Sequence, residues 1–202
     1  VAGDGGAVGA PNATGLYDVT PFGALSGRGA TSWALNDAGD VVGRSPIDDT
    51  TTHAFLWDSA TGVMSDLGRL GTLGTNFSEA HGINNDGLVV GVAFDGANTF
   101  FTWQGTGTMT GIQGLAGGNA VNDAGQVTGQ RLNAVYNAFR WDKTGGFVDL
   151  GLLGTLGSND SYASGINEAG NVVGPGKTDA GLSHAFLWTV ADGMVDIGTP
   201  AT

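Results

Sequence analysis

The sequence predicts an all-β, propeller-like array, and three observations predict it. A motif of the form Ile-Asn-x-x-Gly-x-Val-Val-Gly recurs four times in 202 residues. A second motif, His-Ala-Phe-Leu-Trp in the first and fourth units and a variant of it in the middle two, follows each copy. The 38 glycines follow no collagen-like period, so they read as turns of a β protein. Internal repetition on this scale means stacked supersecondary units.

Each unit begins with a short strand: Ser32–Leu35, His81–Ile83, Ala120–Val121 and Ser164–Ile166. An Asn-x-x-Gly turn follows, opening at Asn36, Asn84, Asn122 and Asn167. Asparagine accepts backbone hydrogen bonds there, and glycine supplies a positive φ. The second strand is Val41-Val42-Gly43, Val89-Val90-Gly91, Val127-Thr128-Gly129 or Val172-Val173-Gly174, returning as a hairpin. The third holds His53–Trp57, Thr99–Trp103, Asn137–Trp141 and His184–Trp188. Its Phe and Trp are two apart, hence on one face, and are expected to be buried between neighbouring units. The fourth reads Met64–Gly68, Phe147–Gly151 and Met194–Gly198, with a degenerate copy at Met109–Ile112. Repeats therefore span about 32–68, 80–112, 119–151 and 163–198. Four strands in roughly 40–50 residues match a propeller blade, and a β-solenoid is the structural alternative.

The stretch Tyr17–Leu25 aligns without gaps on Val148–Leu156, which makes residues 16–25 a fifth copy of the fourth strand. Such a surplus strand caps an edge, starts a partial blade or pairs with another chain. Residues 1–14, rich in Gly and Ala, read as a flexible tail before a single repeat domain over 15–202.

Formal charge is −12, a field that repels nucleic-acid phosphates and anionic lipid. No apolar run is long enough for a spanning helix, and Val1–Gly6 lacks the basic and apolar regions of a signal peptide. There is no cysteine, which excludes disulfides and thiolate chemistry.

Candidate chemistry is sparse. His53 and His184 occupy equivalent positions filled by Thr99 and Asn137 in the middle units, a pattern that suits scaffold hydrogen bonding. Asp66, Asp149 and Asp196 recur in register and read the same way. Glu79 and Glu168 are the only glutamates, yet they hold unmatched positions, which argues against a glycosidase acid/base pair. Asp37, Asp40, Asp48 and Asp49 offer oxygen ligands of the kind calcium takes, but without an Asp-x-Asp-x-Asp spacing. No cofactor is expected, and no nucleophile elbow, phosphate loop or zinc-protease motif occurs. The candidate ligand-binding residues are Trp33 and His81. Trp33 is the one Trp outside the repeated position, and its equivalents are His81, Asn119 and Ser164. An exposed aromatic there stacks on sugars; a packed one fills a void.

The His-Ala-Phe triplets at 53–55 and 184–186 give the chain its family resemblance. So do the Asp-Leu-Gly-x-Leu-Gly-x-Leu-Gly segments at 66–74 and 149–157, and the Gly-Ile-Asn-x-x-Gly segments at 82–87 and 165–170. The sequence resembles the HAF-repeat family of extracellular bacterial proteins over roughly residues 16–198. Units two and three depart from the triplet, with Thr99-Phe100-Phe101 and Asn137-Ala138-Phe139. The resemblance implies export, a cell-surface or exopolysaccharide setting, and no catalytic residue. The expected function is thus an exported, non-enzymatic repeat protein with a surface-structural or binding role, polysaccharide being the expected partner. The alternatives are a self-assembling homo-oligomer joined through the surplus strand, and a secreted carbohydrate-active enzyme.

Overall fold

A computed structural model of the chain describes residues 21–71, 77–155 and 160–198. The proposed tail at 1–14 and the first part of the surplus strand lie outside them. Among the described residues there is no helix, and sixteen strands form four four-stranded antiparallel meanders. The first blade is β1 (Thr31–Leu35), β2 (Val41–Pro46), β3 (Thr52–Asp58) and β4 (Val63–Asp66). The second is β5 (Ser78–Ile83), β6 (Leu88–Phe94), β7 (Asn98–Gln104) and β8 (Thr110–Ile112). The third is β9 (Gly117–Val121), β10 (Val127–Leu132), β11 (Tyr136–Asp142) and β12 (Gly146–Asp149). The fourth is β13 (Gly165–Ile166), β14 (Val172–Lys177), β15 (Ser183–Thr189) and β16 (Gly193–Asp196). A solenoid stacks parallel strands, and these antiparallel sheets are not that.

The Asn-x-x-Gly turns form as the sequence requires, with Gly39, Gly87, Gly125 and Gly170 at φ of 72–86°. Each Asn side-chain oxygen accepts a backbone N–H four residues on, as in Asn84 Oδ1 with Leu88 at 2.8 Å. The same side chain also donates to the next blade. Asn84 Nδ2 bonds the Asn122 carbonyl at 3.0 Å, and Asn122 Nδ2 bonds that of Asn167 at 2.9 Å. The turns thereby form a hydrogen-bonded ladder along one rim.

The first strands of successive sheets contact one another, which places them innermost. Each blade has a front face toward its predecessor and a back face toward its successor. Phe101 and Trp103, on the front of the second blade, pack with Val42 and Leu56 of the first. Phe139 and Trp141 pack with Val90 and Phe100 of the second, and Phe186 and Trp188 with Ala138 and Val148 of the third. The four phenylalanines Phe55, Phe101, Phe139 and Phe186 are fully buried. The tryptophans are covered to different degrees: Trp188 is buried, whereas Trp57, Trp103 and Trp141 are half-buried. Trp188 owes its burial partly to the Arg140 guanidinium, 5.1 Å from its ring.

Among the described residues the array is open at both ends. In the two middle blades both strand-two positions are fully buried: Val89 with Val90, and Val127 with Thr128. In the first blade Val42 is buried but the front-facing Val41 only half so. In the fourth Val172 is buried and the back-facing Val173 is 44% exposed. No major contact joins the first and fourth blades among the described residues.

The described part of the surplus segment, residues 21–25, forms no strand, and neither do its counterparts at 152–155. It lies over the front of the first blade. Phe22 packs 6.1 Å from Phe55 and 5.7 Å from Trp57 (ring centroids), and the Leu25 N–H bonds Ser45 Oγ at 3.0 Å. The linker residue Leu70 lies against Gly111 of the second blade in the same manner.

Candidate functional site

Trp33 and His81 come together, and the reason is a β-bulge. The β1–β2 register skips Trp33, the β5–β6 register skips His81, and the β9–β10 register skips Asn119. A bulge inserts one residue and re-aims its side chain. On the innermost strands it directs that side chain toward the neighbouring blade. The Trp33 and His81 rings meet edge-on at 5.0 Å, and Asn119 Nδ2 reaches the Ala163 carbonyl at 2.7 Å.

Around Trp33 sits a charged network. The Arg44 guanidinium lies 5.3 Å from the indole centroid and forms an ion pair with Glu79. His81 Nε2 stands 3.5 Å from the other Glu79 oxygen. The His81 contact, aided by Arg44 and opposed by burial, holds the Glu79 carboxyl below the usual range. Glu79 is thus an anion fixed by two partners. Trp33 remains 42% exposed, so it is a partly open surface rather than a void filler.

The other candidates are placed elsewhere. Glu168 lies on the turn ladder of the fourth blade, accepting the Asp123 N–H, with the third blade between it and Glu79. His53 Nδ1 donates to Asp66 at 2.9 Å and His184 Nδ1 to Asp196 at 2.8 Å, while Asn137 reaches Asp149 at 3.3 Å. These are clasps between third and fourth strands. His53 Nε2 is buried without a hydrogen-bond partner among the described residues.

The acidic loops are internally satisfied: Asp48 accepts the N–H groups of Thr50 and Thr51, and Asp49 pairs with Arg28. Asp40 accepts from Ser59 and Asn36, and Asp37 accepts from Asn85. Among the described residues no three His, Asp or Glu side chains group as a metal site.

The carboxylate clasps have a pH consequence. At Asp66 burial opposes ionisation, but hydrogen bonds from His53 and the Gly68 N–H outweigh it and keep the carboxyl low. At Asp196 the His184 hydrogen bond leads, with the Gly198 N–H, in the same direction. The unfolded chain, with ordinary carboxyls, takes up protons first as the pH falls. The stability these groups supply is therefore complete above the ordinary carboxylate range and is lost as the pH drops through their lowered values. Thermal melts should show the midpoint falling below about pH 4. The Asp66→Asn, Asp196→Asn double variant should fall less steeply; an identical slope would contradict this account.

A second site escapes sequence reasoning. A cleft of about 560 Å³ opens between the second and third blades, lined by Thr102, Gln104 and Asp86 of the second and by Trp141, Asp123 and Lys143 of the third. It forms beside β8, the degenerate three-residue fourth strand, which covers less of the groove. Trp141 is half-buried at this opening. The degeneracy of Met109–Ile112 was the available signal in the sequence.

Four-stranded antiparallel meanders arranged around their first strands define a β-propeller architecture. No family model and no curated protein matches the chain. Among solved structures it is similar to TolB from Acinetobacter baumannii, at 16% identity and a TM-score of 0.64 over 86% of this chain and 44% of that one. It is also similar to the β-propeller domain of the Trilobed protease from Pyrococcus furiosus, for which an open velcro topology is described. That match has 15% identity and a TM-score of 0.55, over 85% of this chain and 52% of that one. The chain thus spans about half the length of each, and the likeness is one of fold. No helix among the described residues is long and apolar enough to cross a membrane.

Proposed function

We propose that the chain is an exported, non-enzymatic propeller of the HAF-repeat type that binds a neutral polysaccharide at the cell surface. The observation that carries this reading is the inter-blade cleft, where the half-buried Trp141 indole shares a groove with carboxylates, an amide and an ammonium. Indole faces pack on the C–H faces of sugars, while such polar groups hydrogen-bond hydroxyls. The charge of −12 disfavours polyanions, which points to a neutral chain. A binding role fits the carboxylates better than catalysis. Asp142 is kept ionised by the Gly145 N–H and the Thr144 hydroxyl, so it is not placed as a general acid. The repeated triplets support the family, and the family the cell-surface setting.

Affinity electrophoresis through gels containing neutral or acidic polysaccharides tests the proposal. Retardation in a neutral glycan gel is expected, without release of reducing ends, and Gln104→Ala with Lys143→Ala should weaken it about tenfold. Trp33→Ala reports separately on the inner-strand cluster; loss of binding there alone would move the site to Trp33. Unretarded migration in every gel, or release of reducing ends, would overturn the reading.

A further inference from the structure

The two ends of the array are complementary. The exposed back of the fourth blade presents Val173, Ala185, Leu187, Val195 and Ile197 on one face, since Val173 pairs with Leu187, Leu187 with Val195, and the Ile197 N–H bonds the Ala185 carbonyl. Their counterparts in the first blade, among them Val42, Ala54 and Leu56, are covered by the second. The front of the first blade presents the half-buried Val41 and Trp57, with Phe55 already buried beneath Phe22; these are the positions that Val89, Trp103 and Phe101 use to cover a predecessor. Three interfaces within the chain already join a face of one kind to a face of the other.

The turn ladder is open in the same complementary sense. The N–H of Asp37 donates to the Asn85 side chain, that of Asn85 to Asp123, and that of Asp123 to Glu168. At the far end Asn167 and Glu168 face the place a next blade would fill. At the near end the Asn36 carbonyl and the Asp37 carboxylate are what a preceding blade would bond.

We infer that two copies of this chain associate head-to-tail through these faces and close an eight-bladed ring. Eight blades lie within the range of propellers, and a heterologous contact that closes on itself gives a finite assembly. Phe22 then fills, at each junction, the place that Leu70 fills between the first and second blades.

Light scattering coupled to gel filtration of the whole chain should give twice the chain mass of 20.2 kDa. Val173→Asp and, separately, Ala185→Arg place charge on the exposed face, so each should give a folded monomer by circular dichroism. The chain lacks cysteine, so Asp37→Cys with Glu168→Cys should form under oxidation a circular dimer bridged twice between copies. A monomeric mass for the unmodified chain would overturn the inference, meaning that something other than a second copy covers these faces. A ladder of linear oligomers from the cysteine variant would overturn the closed ring.

Discussion

Truncating Phe139 to alanine should lower the unfolding free energy by about 3–5 kcal/mol, the range for a fully buried aromatic. Phe139 has no exposed surface and sits where the third blade meets the second, its ring centroid 6.0 Å from that of Phe100. On its own sheet it leans on Phe147 at 5.9 Å. Two hydrogen-bonded sheets bound the space, so neither wall can collapse far into the cavity left behind, and the lost contacts are not replaced. Denaturant titration measures the effect, with Val190→Ala, at a position 72% exposed, as the control expected within about 0.5 kcal/mol of the parent. A Phe139→Ala loss no greater than that of the control would mean that the inter-blade grooves do not hold the array together.

Adding a single methyl group should be as damaging at Gly91. A Cβ there would stand well inside contact distance of the Glu79 carbonyl oxygen, and 2.9 Å from both Ala80 Cα and Phe101 Cε1. Two of the three obstacles are backbone, so no rotamer change relieves them. The same crowding recurs at Gly43 against Thr31, Gly129 against Gly117 and Gly174 against Tyr162. Each obstructing residue lies two positions before the bulge residue Trp33, His81 or Asn119, or before Ser164, their counterpart in the fourth blade. The strand-two glycine is thus the space into which the bulge folds. Gly91→Ala should cost about 3 kcal/mol or more, at the upper end of overpacking effects, because strand and bulge must part. Gly105→Ala, where a Cβ meets nothing but the glycine holds φ at 66°, should cost less. If Gly91→Ala melts at the parent temperature, the bulge does not depend on that glycine.

Much of the fold was legible because the period of the sequence is the period of the structure. The predicted repeat at 80–112 corresponds to β5–β8 over 78–112, and that at 119–151 to β9–β12 over 117–149. The shared face of Phe and Trp could be read from their spacing alone. Their degrees of burial could not, since Trp103 and Trp188 occupy equivalent positions and differ only in what a neighbour places over them. The open ends were illegible for the same reason. Val42 and Val173 stand in the same motif, and only the presence or absence of a following blade separates a buried side chain from an exposed one. Trp33 and His81 were picked out as departures from the repeat, but the bulge that joins them and the ion pair between Arg44 and Glu79 depend on cross-strand register. The cleft at Trp141 lies beside the short β8, and a missing strand segment leaves little trace in a pattern of what recurs.

The bulge also separates two kinds of information within each blade. Alternation along a strand ties every side chain to one face or the other, so a change made for one purpose disturbs the packing that serves another. The inserted residue escapes that tie. Tryptophan, histidine, asparagine and serine all stand at this point in one molecule while the surrounding glycines, valines and phenylalanines scarcely vary. The inner edge of the array therefore works as a row of independent letters on a common page. Rewriting one letter alters what the edge displays and leaves the text that builds the blade intact.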